Sequence, residues 1–88
     1  MGYKALITID LPGATGEERD AFYESLKKDN WKKLNNLTTA WTASFKDDVE
    51  RQPAVEILEN EIKKAKKESS ISKVNFAIQL GKGVIVNN

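Results

Sequence analysis

The stretch WKKLNNLTTAWTASF, residues 31–45, decides between two folds for this chain. Taken as two strands, 31–34 and 38–45, it is a β-hairpin, because the asparagines between them tolerate the positive φ of a tight turn. Taken as one strand, it produces a βαβαβ order with a parallel sheet. Strands of parallel sheets read as continuous apolar runs, whereas here Thr42 and Ser44 alternate with apolar residues. The pattern therefore favours the hairpin.

Two further segments, 3–11 and 73–80, alternate between apolar and polar residues, which is typical of half-buried strands. The first segment places Ile7 on its apolar face, and the second places Phe76 and Ile78 there. By the same alternation, Trp41 faces the core in the second half of the hairpin. Each segment therefore predicts a strand with one face against the core.

Two helices are predicted between these strands. Thr15 followed three residues later by Glu18 is the signature of a capping box, and it predicts a helix to about Lys28. A second helix is predicted from about Pro53 to Lys67. Its apolar positions recur at helical spacing and are Val55, Leu58, Ile62 and Ala65.

The predicted order is β-α-β-β-α-β, with a short additional strand at 84–86. This order predicts an α+β fold of the ferredoxin-like type, in which two helices cover one face of a four-stranded antiparallel sheet. We expect a single ferredoxin-like domain over residues 1–88, because a chain of 88 residues has room for one core.

Composition excludes several classes of chemistry. The chain has 14 basic and 13 acidic residues, a net charge of +1, which argues against a strongly basic nucleic-acid binder. It contains no cysteine and no histidine, which excludes a disulfide framework, a thiolate nucleophile and a Ser-His-Asp triad. No apolar run approaches the ~20 residues that span a bilayer. We expect a cytoplasmic protein without a membrane partner.

The sheet face that the helices leave uncovered is predicted to carry mostly small or uncharged side chains. Its members are Lys4, Leu6, Thr8, Ala40, Thr42, Ser44, Asn75, Ala77 and Gln79. A second sheet can lie flat on such a face, and the apolar run Val84, Ile85 and Val86 is suited to pairing with a partner's sheet edge. We therefore predict a homodimer, with Thr42, Ser44 and residues 84–86 in its interface.

Asp10 ends the first strand on the same open face, and the sequence leaves two interpretations of it. Its side chain can cap the turn at Pro12 and Gly13. Alternatively, a face-to-face dimer brings two copies of Asp10 together. Paired carboxylates can hold a divalent cation, which activates water for phosphodiester cleavage.

Lys66, Lys67 and Lys73 are predicted at the same end of the fold as Asp10. They either complement the dipole of the second helix or bind phosphate oxygens of a nucleic acid. Trp31 and Trp41 are either core or dimer contacts, or rings on which bases stack.

The stretch from Tyr3 to Phe45 resembles the start of the small CRISPR-associated adaptation nucleases. The shared parts are a strand ending in an acid, "ALITID", a charged helix, "GEERDAFYESLKKDNW", and a hairpin, "KKLNNLTTAWTASF". GhoS-type endoribonuclease antitoxins and VapD-like proteins share this ferredoxin-like shape. The resemblance implies a fifth strand at 84–86 that crosses to a dimer partner, and a metal-linked role for Asp10. The continuation Leu11-Pro12-Gly13 differs from the family pattern, so Asp10 alone is carried over.

These observations lead to two function hypotheses. The first is a small homodimeric, non-catalytic binding or regulatory protein, antitoxin-like or inhibitor-like, that acts on a protein or nucleic-acid partner without a cofactor. The second is a metal-dependent endoribonuclease in which Asp10 is the catalytic acid and Mg²⁺ the cofactor. A third, a small-ligand regulatory domain, has only the analogy of fold behind it.

Overall fold

The computed structural model describes residues 2–34 and 40–82. Its elements are β1 (Lys4–Asp10), α1 (Gly16–Lys28), β2 (Lys32–Lys33), β3 (Ala40–Ser44), α2 (Arg51–Ser69) and β4 (Asn75–Gly81). The strands form one antiparallel sheet in the order β2-β3-β1-β4. This is the α+β, ferredoxin-like arrangement, so the fold prediction is confirmed. The predicted turn at 35–36 and the predicted strand at 84–86 lie outside the described residues.

Pairing across the sheet confirms which strand face lies in the core. Ile7 of β1 pairs with Trp41 on one side and with Ile78 on the other. Ile7 and Trp41 are completely buried, and Ile78 packs against the same cluster. The alternation read from the sequence therefore assigns this row of side chains correctly.

Helix α1 begins with the capping box that the sequence predicts. The backbone N–H of Glu18 donates to Thr15 Oγ1 at 3.2 Å, and the backbone N–H of Thr15 donates to Glu18 Oε1 at 2.9 Å. Two of the otherwise unpaired donors at the helix start are satisfied in this way. The helix buries Phe22 and Leu26 against the sheet.

Helix α2 is longer than predicted at both ends. It begins at Arg51, so Pro53 lies inside the first turn, where a missing N–H removes no intrahelical hydrogen bond. It ends at Ser69, and the following Ser70 takes the left-handed conformation, with φ of 61°. Its buried stripe contains Ala54, whereas the predicted Val55 is only half-buried.

Side-chain contacts hold the two helices together beside the core. Ser25 Oγ of α1 donates to Glu68 Oε1 at 2.9 Å, and Lys64 Nζ lies 3.3 Å from Asp29 Oδ1. No helix in the described part of the chain is both long and apolar enough to cross a membrane.

Candidate functional site

The open face of the sheet is present as predicted, and neither helix covers it. Thr8, Ser44, Asn75, Ala77 and Gln79 are exposed on it, and Leu6 and Thr42 are half-buried within the sheet. Ala40 is buried although it lies on this face. Lys4 is half-buried on the same face, so most but not all of the open face consists of small or uncharged side chains.

One residue of the open face was missed by sequence reasoning. Lys32 of β2 pairs with Thr42 of β3, which places Lys32 on the open face beside that threonine. Thr42 Oγ1 donates to the backbone carbonyl of Lys32 at 3.4 Å. The exact register of the hairpin was needed to find it, since a shift of one residue would place Lys32 on the other face.

Asp10 lies at the end of β1, opposite Asn75 of β4. The two residues line a shallow groove of about 340 Å³ together with Thr8, Ile9 and Phe76. Asp10 is exposed, and its carboxylate makes no hydrogen bond or ion pair with any residue in the described ranges. Its charge is therefore available to solvent or to a ligand.

The turn after Asp10 closes without the side chain of that residue. The backbone N–H of Ala14 donates to the Leu11 carbonyl at 3.3 Å, and Gly13 has a φ of +74° that suits glycine. The sequence allowed Asp10 to cap this turn, and the structure does not show that cap.

Within one molecule, Asp10 supplies one carboxylate to the groove. Magnesium is usually bound through one or two carboxylates together with waters and substrate phosphates, in octahedral geometry. Asp10 has an amide and a hydroxyl as its polar neighbours in the groove. Across 2–34 and 40–82, no three Asp, Glu, His or Cys residues lie close enough together to hold a metal. A second carboxylate would have to come from another molecule.

The predicted phosphate-binding lysines, Lys66, Lys67 and Lys73, are all exposed. Lys66 and Lys67 lie in the last turn of α2. Lys73 lies just before β4, whose first residue, Asn75, is paired with Asp10. They therefore share one end of the molecule with Asp10, as predicted. Their side chains form no ion pair within the part of the chain that the structure describes, so their charges are available to solvent or to a ligand.

Neither tryptophan presents its ring to solvent. Trp31 is 2% exposed, and its indole Nε1–H donates to Glu61 Oε1 at 3.0 Å. Trp41 is fully buried against the ring of Tyr23, with ring centroids 5.4 Å apart, and its indole N–H has no acceptor among residues 2–34 and 40–82. Both rings therefore serve the core, and neither is placed to stack on a base.

Glu61 is the residue whose pKa the fold perturbs most clearly. Desolvation by the surrounding helices raises its pKa above the ordinary value, while the hydrogen bond from Trp31 opposes that shift. Asp29 nearby also raises it, and Lys64 lowers it. Asp29 and Trp31 come from the segment that follows α1, and Lys64 comes from α2, so no sequence pattern pointed to Glu61.

Comparisons with known proteins bear on the fold. No protein-family model and no curated protein sequence matches the chain. Protein SP2199 from Streptococcus pneumoniae, solved by X-ray crystallography, is similar in structure, with a TM-score of 0.55 and 17% sequence identity. The similarity covers 97% of this chain and 90% of that one. At this level of identity the likeness supports the ferredoxin-like fold and does not extend to function.

Proposed function

We propose that this protein is a small homodimeric binding protein without catalytic activity, acting on a protein or nucleic-acid partner. The observation that carries the proposal is the open face of the sheet. It is exposed and made mostly of small, uncharged side chains, and Asp10 is its single acid. Such a surface is suited to contact with another macromolecule.

The inventory of reactive groups supports binding over catalysis. With no histidine and no cysteine in the chain, Asp10 is the candidate acid that the open face offers. A single exposed carboxylate without a second titrating group is a weak basis for general acid–base chemistry, which needs a group of tuned pKa. The burial of Trp31 and Trp41 removes the base-stacking role that the sequence left open for these two residues.

For the dimer, the sequence suggests an interface that includes Thr42, Ser44 and residues 84–86. Thr42 is half-buried and Ser44 exposed on the open face, which leaves both available for contact. Val84, Ile85 and Val86 lie outside the described residues. The outer edge of β4 is a second candidate interface.

Light scattering on the pure protein at tens of micromolar tests the dimer. We expect the mass of two chains, and a monomer mass at these concentrations would contradict the proposal. Incubation with single-stranded RNA, with Mg²⁺ or with chelator, tests the absence of catalysis. We expect intact RNA in both, whereas Mg²⁺-dependent cleavage would contradict the non-catalytic assignment.

A metal-dependent endoribonuclease is the second candidate function. Its support is the exposed carboxylate of Asp10 in the groove, at the end of the molecule that also carries Lys66, Lys67 and Lys73. If this candidate is right, RNA cleavage by the wild-type protein is abolished in Asp10→Asn and retained in Asp20→Asn. Asp20 is a matched control because it is an exposed aspartate on α1.

A further inference from the structure

The two edges of the sheet differ in how they are protected. The β2 edge is only two residues long, and both residues are lysines. Short length and charge are common means by which proteins prevent unwanted strand pairing. The β4 edge, Asn75–Gly81, spans seven residues with no charge and no proline. Among the described strands, β4 pairs only with β1, so no described strand pairs with the backbone groups on its outer side.

The backbone hydrogen bonds show which residues of β4 face outward. The N–H of Phe45 donates to the carbonyl of Tyr3 at 2.9 Å, so the polar backbone groups of Tyr3 point toward β3. Because this direction alternates along an antiparallel strand, Leu6 and Thr8 point the other way, toward β4. Their partners in β4, Gln79 and Ala77, therefore bond inward.

Phe76, Ile78 and Leu80 consequently direct their N–H and C=O groups away from the sheet. The position of Arg51 agrees with this assignment, because its Nη1 donates to the Leu80 carbonyl at 3.3 Å from outside the ladder. Among the described residues, Phe76 is one of two large apolar residues with high exposure, at 43%. The free edge thus combines outward-facing hydrogen-bonding groups with an uncovered aromatic ring.

We infer that this edge pairs with the same edge of a second copy of the chain, antiparallel and centred on Ile78. In that register Ile78 pairs with its own copy, and Phe76 pairs with the second copy's Leu80. All three outward-facing residues then meet outward-facing residues, so the ladder is self-complementary. The inference rests on the proposed homodimer and assigns its interface to β4.

Helix α2 has the same self-complementary arrangement beside this edge. Arg51 lies level with Leu80 through their hydrogen bond. Four helical residues rise about 6 Å and two strand residues about 6.7 Å. Val55 is therefore level with Ile78, and Glu59 with Phe76, since α2 runs antiparallel to β4. These three helix residues, at spacings of four, form a stripe along one side of α2.

The charges of this stripe favour a second copy as the occupant of the edge. A two-fold axis through Ile78 also passes near Val55, so Arg51 of one chain is carried toward the second copy's Glu59, and the reverse pair forms by symmetry. Both residues are exposed in the single chain, and neither forms an ion pair within the part of it that is described. Arg51, Val55 and Glu59 of one chain thus face Glu59, Val55 and Arg51 of the second copy, so opposite charges meet at both ends of the stripe.

Charge exchange on α2 tests the side-chain part of the interface. Arg51→Glu should raise the dimer dissociation constant about tenfold, because two like-charge pairs replace two favourable ones. Glu59→Arg should weaken the dimer similarly, and the double variant should restore it. Both residues are exposed, so folding is preserved, which circular dichroism can verify. A double variant no tighter than either single variant would overturn the inference.

Amide hydrogen exchange by NMR tests the backbone part and contains its own control. The amides of Phe76, Ile78 and Leu80 should become protected as protein concentration rises, while those of Ala77 and Gln79 are protected at every concentration. Protection of the outward amides that is independent of concentration would show that the edge is covered within one chain, and would overturn the inference.

The same experiments separate this inference from the proposed homodimer. In one outcome, Thr42→Lys dissociates the dimer while the amides of Phe76, Ile78 and Leu80 exchange freely in the wild type. The dimer then forms through the open face. That result would overturn pairing at β4 and leave the homodimer standing. A monomer at all concentrations would overturn both.

Discussion

The two faces of the sheet are built from alternate residues of the same strands and have opposite properties. Ile7 and Trp41 are completely buried beneath the helices. Their immediate neighbours Leu6 and Thr42 pair with each other on the open face and remain half-exposed. The difference shows that one alternating pattern can supply both stability and a binding surface, because successive side chains point to opposite faces.

The strongest test of this comparison is Trp41→Ala. Loss of a completely buried indole leaves a large cavity among Tyr23 and the helix residues, and we expect the free energy of unfolding to fall by ~3–5 kcal/mol. Urea denaturation measures it. The neighbouring Thr42→Ala is the matched control and should change stability by less than about 0.5 kcal/mol. A loss below about 1 kcal/mol at Trp41 would contradict the assignment of the faces.

Ile7→Ala tests the same face at the centre of the sheet. Ile7 is fully buried between Trp41 and Ile78, and we expect a loss of ~2–5 kcal/mol in the free energy of unfolding. Thr8→Ala, one residue further along, removes an exposed side chain and serves as the control. Equal losses in the two variants would mean that burial does not distinguish the two faces.

Glu61→Gln examines a polar group at the boundary of the core. Because desolvation raises the pKa of Glu61 in the folded protein, its ionisation costs stability as the pH rises above the ordinary value for glutamate, and the cost is complete above the raised pKa. Glutamine stays neutral and still accepts the indole N–H of Trp31. The free energy of unfolding of the variant should therefore exceed that of the wild type by more at pH 7 than at pH 4. Urea denaturation of both proteins at both pH values measures this difference. Glu56→Gln, at an exposed position of α2 outside the proposed interface, is the control and should show no such difference.

Asp10→Ala is expected to have the smallest effect on stability. The carboxylate makes no hydrogen bond within the described ranges, and the following turn closes through Ala14 and Leu11. The midpoint of urea denaturation should remain unchanged. A loss of about 1 kcal/mol, as expected for removal of a helix or turn cap, would reinstate the capping role that the structure does not show.

Local signals predicted much of the fold. The capping box of Thr15 and Glu18 needs only four consecutive residues, and it is present in the structure. The start of α2 was predicted two residues late because Pro53 is compatible with any position in a first turn. Phe76 was correctly placed on the apolar face, opposite Ile9, yet it remains 43% exposed. Its exposure depends on its position in an edge strand. The alternation of apolar and polar residues predicts the face on which a residue lies, but not the position of its strand in the sheet.

The sequence by itself determined the order of elements, the core faces of the three longer strands and the absence of histidine and cysteine chemistry. These depend on composition and on periodicities of a few residues. Only the tertiary structure decided that Lys32 shares a face with Thr42, that Glu61 receives the indole N–H of Trp31, and that Phe76, Ile78 and Leu80 turn their backbone groups outward. These properties arise from pairing and packing between residues far apart in the chain, where a shift of one position reverses the outcome.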